Sequence, residues 1–274
     1  MKLVFIGGGN MAQAMITGLK NQHFAMGDIT VIELDATKRV HLAASLTINT
    51  AVDLDCVQTS DVVILAVKPQ QLSALSQSLA PFLKGQLVIS IAAGIRLTDL
   101  SRWLGNYSNI IRAMPNTPAQ IQAGITGLFA LSTVSQAHIA MADKILGAVG
   151  STLWLDSEKK LDAVTAISGS GPAYVFYFIE SLHQAALELG LNEQQAKELS
   201  IATFKGASLL AEQSCESVAT LRKQVTSKGG TTEQGLISLE NSNVAQAIIL
   251  AAQKASERAK MLGDELAQSE INTI

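Results

Sequence analysis

The chain has 274 residues, 48% of them hydrophobic and only 16% charged, a core-rich globular composition that allows one large domain or two ordinary ones and excludes a disordered chain. A formal net charge of −3 carries no electrostatic footprint for nucleic acid or an anionic membrane. No apolar run approaches the ~18 residues of a membrane-spanning helix, and the short apolar stretch before Gly7 lacks the length and cleavage site of a signal peptide.

In chain order, the first half alternates strand-like and helix-like runs. Lys2–Ile6 is a short apolar strand, Met11–Lys20 a helix, Ile29–Glu33 a second strand and Ala36–Ser45 a helix. Asp61–Val67 is apolar from Val62 to Val67, as in a buried parallel strand. Gln71–Phe82 follows as a helix, Gln86–Ala92 as a strand, Leu97–Leu104 as a short helix and Asn109–Arg112 as a strand, with further strands expected at Gly127–Leu131 and Thr152–Leu155. Such alternation predicts an α/β fold with a doubly wound, Rossmann-type sheet.

The second half reads differently. Four of the five prolines lie before residue 120, and none follows Pro172. Residues 1–157 carry 10 basic and 9 acidic groups, residues 158–274 carry 10 and 14. The division is therefore expected near 157/158, with a dinucleotide-binding domain before it and an all-helical domain after it. Helices are expected at Gly171–Leu189, Asn192–Gln213, Ser217–Val225, Thr232–Ser242 and Val244–Gln268. Tyr174–Ile179 is apolar on every face, so it needs cover from its own domain or from a second subunit, and dimerisation through this domain is expected.

Two segments carry candidate chemistry. Gly7-Gly-Gly9-Asn-Met-Ala12 follows the first strand and opens the first helix. Gly7 allows a tight turn, Gly9 lets the backbone approach a pyrophosphate at the helix N-terminus, and Ala12 permits close helix–strand packing, with Asn10 and Met11 completing the motif. Glu33 lies 21 residues after Ala12, near the spacing of a ribose 2′-hydroxyl acceptor, and with Asp35 it repels a 2′-phosphate. Lys38 and Arg39 offer the opposite choice, a phosphate clamp, or are simply helix surface. Ala66-Val67-Lys68-Pro69, Ala92-Ala93-Gly94 and Met114-Pro-Asn116-Thr-Pro118 sit at strand ends, where such a sheet binds its ligand. The second segment, Val225-Thr-Ser227-Lys-Gly229-Gly230-Thr231-Thr232, precedes a helix. Its backbone N–H groups and hydroxyls suit a carboxylate; equally, Thr231 or Thr232 suits the helix N-cap. Two isolated cysteines in no CxxC motif point to a reducing cytoplasm, and the four histidines have no zinc-ligand spacing, so no metal is expected.

The five segments 7–12, 66–69, 114–118, 168–174 (Ser-Gly-Ser-Gly-Pro-Ala-Tyr) and 225–232, in this order, closely resemble the pyrroline-5-carboxylate reductase family over about residues 3–265. The resemblance departs at Lys228, where the family commonly has proline, and at the acidic Glu33-Leu-Asp35. It implies reduction of the cyclic imine 1-pyrroline-5-carboxylate to L-proline, the last step of proline biosynthesis, by a cytoplasmic homodimer or an oligomer of dimers. It implies NADP(H) as cofactor, whereas Glu33 favours NAD(H). The implied site places Gly7, Gly9, Asn10, Met11, Ala12, Glu33, Ala66, Val67, Lys68, Pro69, Ala93 and Asn116 on the cofactor. Ser227, Gly229, Gly230, Thr231 and Thr232 would hold the small-molecule substrate, and Thr232 would bond the ring nitrogen as the catalytic residue. A β-hydroxyacid dehydrogenase shares the two-domain plan, but its catalytic lysine would have to be Lys197 or Lys205, neither in a recognisable motif.

Overall fold

The computed structural model describes residues 1–268; residues 269–274, the end of the expected second domain, lie outside the described residues. The chain folds into two compact units. One comprises Met1–Ser170 together with the chain from Lys254 onward, the other Gly171–Gln253.

The first unit is built on an eight-stranded sheet: β1 (Leu3–Ile6), β2 (Ile29–Ile32), β3 (Asn49–Ala51), β4 (Val62–Leu65), β5 (Leu87–Ser90), β6 (Ile110–Met114), β7 (Gly124–Ala130) and β8 (Gly150–Trp154). Its order is β3-β2-β1-β4-β5-β6-β7-β8. The first six strands are parallel, while β7 runs antiparallel to β6 and β8 parallel to β7. The order reverses between β1 and β4, which is the switch point where ligands bind doubly wound sheets. Strands β1, β4 and β5 are buried along their whole length, because both faces of the sheet are covered. Alternate residues feed two cores, Leu3, Phe5, Val62 and Ile64 on one face and Val4, Ile6, Val63 and Leu65 on the other.

The helices of this unit are α1 (Asn10–Asn21), α2 (Ala36–Leu46), α3 (Pro69–Leu79), α4 (Leu97–Trp103), α5 (Gln136–Leu146) and α6 (Lys160–Val164). Asp35 caps α2 by accepting from the Lys38 N–H at 3.1 Å, and Pro69 opens α3, where its missing N–H costs nothing. A π-turn at Thr165–Gly169 continues α6. Arg112, 5% exposed on β6, pairs with Glu158 Oε1 at 3.0 Å; the same oxygen accepts from the Leu97 N–H, and Asp162 stands 3.9 Å away. Burial pushes the Asp162 carboxyl above its ordinary range, against the pull of Arg112. Leu161 is fully buried, and Val164 packs on Gly127 of β7.

The second unit holds α7 (Gly171–Glu188), α8 (Glu193–Gln213), α9 (Val218–Gln224), α10 (Thr231–Asn241) and the first part of α11 (Val244–Gln268). Asn192 and Gln195 cap α8 reciprocally, each side chain accepting from the other's N–H. This unit leaves its apolar surface open in the single chain: Phe176 is 65% and Tyr177 68% exposed. Exposed apolar surface of this kind marks an interaction face.

The strand and helix expectations hold to within a few residues. The differences have identifiable causes. Strand β3 is three residues long, polar and at the sheet edge, so it has no apolar pattern to read. Helix α5 was not expected. It is capped by Ser135, whose hydroxyl accepts from the His138 N–H, and it buries only Ala142, Ile145 and Leu146. The segment 158–170 packs with the sheet unit, although proline and charge patterns place the division before it.

Candidate functional site

The glycine turn leaves β1 and enters α1. Gly7 has φ +102°, and a Cβ there would lie 2.8 Å from the Ala66 carbonyl oxygen, so no larger residue fits between the ends of β1 and β4. A Cβ on Gly8 would meet Leu42 Cδ1. Gly9 is different, because a Cβ there would touch nothing within 4 Å. The protein's own packing leaves open space over this position, as close approach by a ligand would need. Gly9 is also the N-cap of α1 and makes no side-chain cap. The first-turn N–H groups of α1, beginning with Asn10 and Met11, therefore lack a side-chain cap and are free to donate to an anion. Ala12 is fully buried, as close helix–strand packing requires. These residues fit a dinucleotide pyrophosphate.

Glu33 follows β2. Its carboxylate accepts from the Gly8 N–H at 3.3 Å and the Asp35 N–H at 3.2 Å, so it is held against the glycine turn. Sequence reasoning missed two supports of this corner. The Gln13 side chain donates to the Gly8 carbonyl at 2.9 Å, and Arg39 Nη1 donates to the carbonyls of Glu33 and Leu34 at 2.7 and 2.8 Å. Arg39 thus spends one arm of its guanidinium on the main chain. Lys38 is exposed.

Ala66 and Val67 are half-buried beside Gly7, Lys68 is exposed at the N-cap of α3, and Pro69 begins that helix. Ala93 is the half-buried residue between buried Ala92 and Gly94 in the turn after β5. Asn116 is buried, and its side-chain oxygen accepts from the Ile125 N–H at 2.9 Å. That oxygen ties the 114–118 loop to β7, and the amide NH2 makes no hydrogen bond within the described residues.

In the helical unit, the loop before α10 turns over Ser227–Gly230, where the Gly230 N–H donates to the Ser227 carbonyl at 3.0 Å. Gly229 is the third residue of this turn, with φ +74°, which glycine adopts without strain. A Cβ on Gly230 would lie 2.4 Å from Ser227 Oγ and 3.0 Å from the Ser227 carbonyl oxygen, so glycine lets the turn close tightly over Ser227. Lys228 occupies the second turn position, which proline favours but does not monopolise; the departure keeps the turn. The expectation that Thr231 or Thr232 caps the helix is corrected. Gly230 is the N-cap, and both threonines lie within the first turn of α10. Glu233 makes the local bond instead, accepting from the Gly229 N–H at 2.7 Å. Among the described residues, the hydroxyls of Ser227, Thr231 and Thr232 make no hydrogen bond within the chain and are exposed. With the first-turn N–H groups they form a cluster of donors that has no use in the fold.

Comparison with known proteins gives a consistent picture. Residues 158–262 match the family model for pyrroline-5-carboxylate reductase dimerisation, and residues 2–94 match that for NADP oxidoreductase, coenzyme F420-dependent. The chain is 42% identical to the pyrroline-5-carboxylate reductase of Pseudomonas aeruginosa over 96% of its length and 98% of that protein's. It is 40% identical to that of Pasteurella multocida, with 95% and 97% covered. Among solved structures, the pyrroline-5-carboxylate reductase of Coxiella burnetii superposes with a TM-score of 0.90 at 40% identity, covering 95% of this chain and 98% of that one. The Plasmodium falciparum pyrroline carboxylate reductase, solved with NADP bound, gives 0.87 at 29% identity, covering 96% and 98%.

Proposed function

The chain belongs to the pyrroline-5-carboxylate reductase family, and on that premise we propose how its own residues reduce 1-pyrroline-5-carboxylate to L-proline with NAD(P)H. The observation that carries this reading is the 227–232 loop, whose turn is built around Ser227, Gly229 and Gly230 and whose three hydroxyls stay unpaired. Ser227 and Thr231 hold the substrate carboxylate through their hydroxyls and the first-turn N–H groups of α10, on a turn shaped by Gly229 and Gly230, whose own N–H groups go to Glu233 and the Ser227 carbonyl. Thr232 bonds the ring nitrogen. The Gly7–Ala12 turn holds the pyrophosphate, Glu33 reads the ribose, and the ends of β4, β5 and β6, with Ala66, Val67, Lys68, Pro69, Ala93 and Asn116, line the rest of the cofactor.

The chemistry asks little acid–base work of the protein. When bound, NAD(P)H supplies a hydride. The hydride adds to the imine carbon, the C=N π pair moves to nitrogen, and the nitrogen keeps the proton it carried, so the product is a secondary amine. Such imines are near-neutral bases and need no strong side-chain acid, in keeping with a site that uses no histidine. What the protein supplies is register between reactants, an effect of about 7–11 kcal/mol when geometry is right.

The test is to follow nicotinamide absorbance with 1-pyrroline-5-carboxylate and then with short hydroxyacids. Oxidation of NADH or NADPH by the imine is expected. Turnover with a hydroxyacid alone overturns the assignment. In the same assay, Glu33→Gln is expected to lower the NADH/NADPH ratio of kcat/KM roughly five-fold, the size of a contact between unit charges worth about 1 kcal/mol in water. An unchanged ratio means that this carboxylate does not read the ribose.

We also propose a cytoplasmic homodimer, or a higher oligomer of dimers. The exposed apolar surface at Phe176 and Tyr177 supports association, and two free cysteines, Cys56 and Cys215, suit a reducing compartment. Among the described residues no helix is long and apolar enough to cross a membrane. Light scattering at micromolar concentration is expected to give at least twice the chain mass; a monomer overturns the proposal.

A further inference from the structure

The carboxyl end of α11 meets the turn after β5 more closely than ordinary packing allows. Gly263 is helical, yet a Cβ on it would lie 2.6 Å from the Gly94 carbonyl oxygen. Seen from the other side, Gly94 has φ +82°, and a Cβ there would lie 3.4 Å from the Gly263 nitrogen. The two backbones are in direct contact. Next to them, an Arg96 guanidinium nitrogen donates to Asp264 Oδ1, an ion pair joining residues 168 apart in sequence. Leu266 packs against the same core cluster that takes up Ala92 and Ile95. The turn is thus gripped at Ala92 and Ile95 by the core and at Gly94 and Arg96 by α11.

We infer that Gly263, Asp264 and Arg96 form a latch that sets the position of the 92–96 turn, and that they are positioning residues for the cofactor. The inference rests on the reading above, in which Ala93 of this turn lines the cofactor. The latch adds little to folding stability. The Arg96 and Asp264 side chains are 39% and 45% exposed, a setting in which ion pairs contribute little. Gly263 sits inside a helix, where alanine is the better helix former. Helix propensity and ion-pair energy therefore do not account for these two features, and what glycine at 263 permits is the close contact of the two backbones. Both features fix where one carbonyl and one turn sit, and hydride transfer depends on placement at the sub-ångström scale.

The experiment compares Gly263→Ala and Asp264→Asn with the native enzyme. The methyl group at 263 must push the Gly94 carbonyl aside. Expected results are a roughly three- to ten-fold loss in kcat/KM for the reduced cofactor, a raised primary isotope effect with nicotinamide deuterated at C4, and a KM for the imine within about two-fold of native. Overpacking should lower the thermal melt of Gly263→Ala, whereas Asp264→Asn should melt near the native temperature while its kcat/KM falls. A charge swap, Arg96→Asp with Asp264→Arg, should recover cofactor binding lost by Asp264→Arg alone. Cofactor affinity is also measured by nicotinamide fluorescence titration, which needs no turnover. If the native enzyme does not reduce the imine, the functional reading has failed, and titration alone then judges the latch. Native-like cofactor affinity in both Gly263→Ala and Asp264→Asn overturns the latch, whatever the substrate proves to be.

Discussion

Thr232→Ala is expected to lower turnover roughly 10- to 10³-fold without lowering the melting temperature. The reason for expecting both halves lies in the loop. Thr232 is in the first turn of α10 and exposed, and its hydroxyl has no partner within the chain. Removing the hydroxyl breaks nothing in the fold, and alanine is the better helix former. Any loss of rate must therefore come from a contact made with the substrate. If the hydroxyl donates to the lone pair that develops on the ring nitrogen as the C=N π pair moves there, kcat falls while KM changes little. The check is steady-state kinetics beside a thermal melt. Unchanged kcat removes Thr232 from the mechanism; a lowered melting temperature would show that the hydroxyl has a structural use after all. Ser227→Ala offers a contrast. As a carboxylate contact kept through the reaction, it is expected to act mainly on KM.

Gly150→Ala should destabilise the sheet unit by roughly 2–6 kcal/mol, the sum of about 1–3 for forcing alanine into a glycine-only backbone conformation and about 1–3 for overpacking. Gly150 starts β8 with φ +143° and ψ −155°, and a Cβ there would fall 1.8 Å from the carbonyl oxygen of Gly124, its partner on β7. Neither strand can move away easily, since Gly124 is itself pressed against Ala119, within 3.0 Å of a Cβ placed on it. Against a total stability of about 5–15 kcal/mol this is a large fraction. Gly147→Ala is the control, because nothing lies within 4 Å of a Cβ there and its φ is −63°. That change should be neutral or slightly stabilising. Urea midpoints for the two variants measure the difference, and equal midpoints would refute the close approach of β7 and β8.

Both predictions turn on features of different legibility. The 227–232 loop was readable in advance as a run of glycines and hydroxyls before a helix, although the turn that gives Gly229 its positive φ was not. The demand at Gly150 was not. Its close partner is 26 positions away and became its neighbour only when β8 paired parallel with β7. Asn116 shows the same division. Its place in a rigid proline-flanked loop was visible, but the capture of its side-chain oxygen by the Ile125 N–H was not.

The amino-acid sequence by itself determined the strands of the parallel sheet, the glycine turn, the Ser/Thr loop and the helical character of the second half. Each of these is a local demand: continuous apolar residues where both faces of a sheet are covered, glycine where φ is positive, no proline where helices run. Tertiary structure alone decided the edge strand β3, the reversed direction of β7, the grip of Glu33 on the glycine turn and the contact of Gly263 with Gly94. Those depend on groups far apart along the chain meeting at hydrogen-bond or van der Waals distance, and a linear pattern holds no record of distances that only the folded backbone creates.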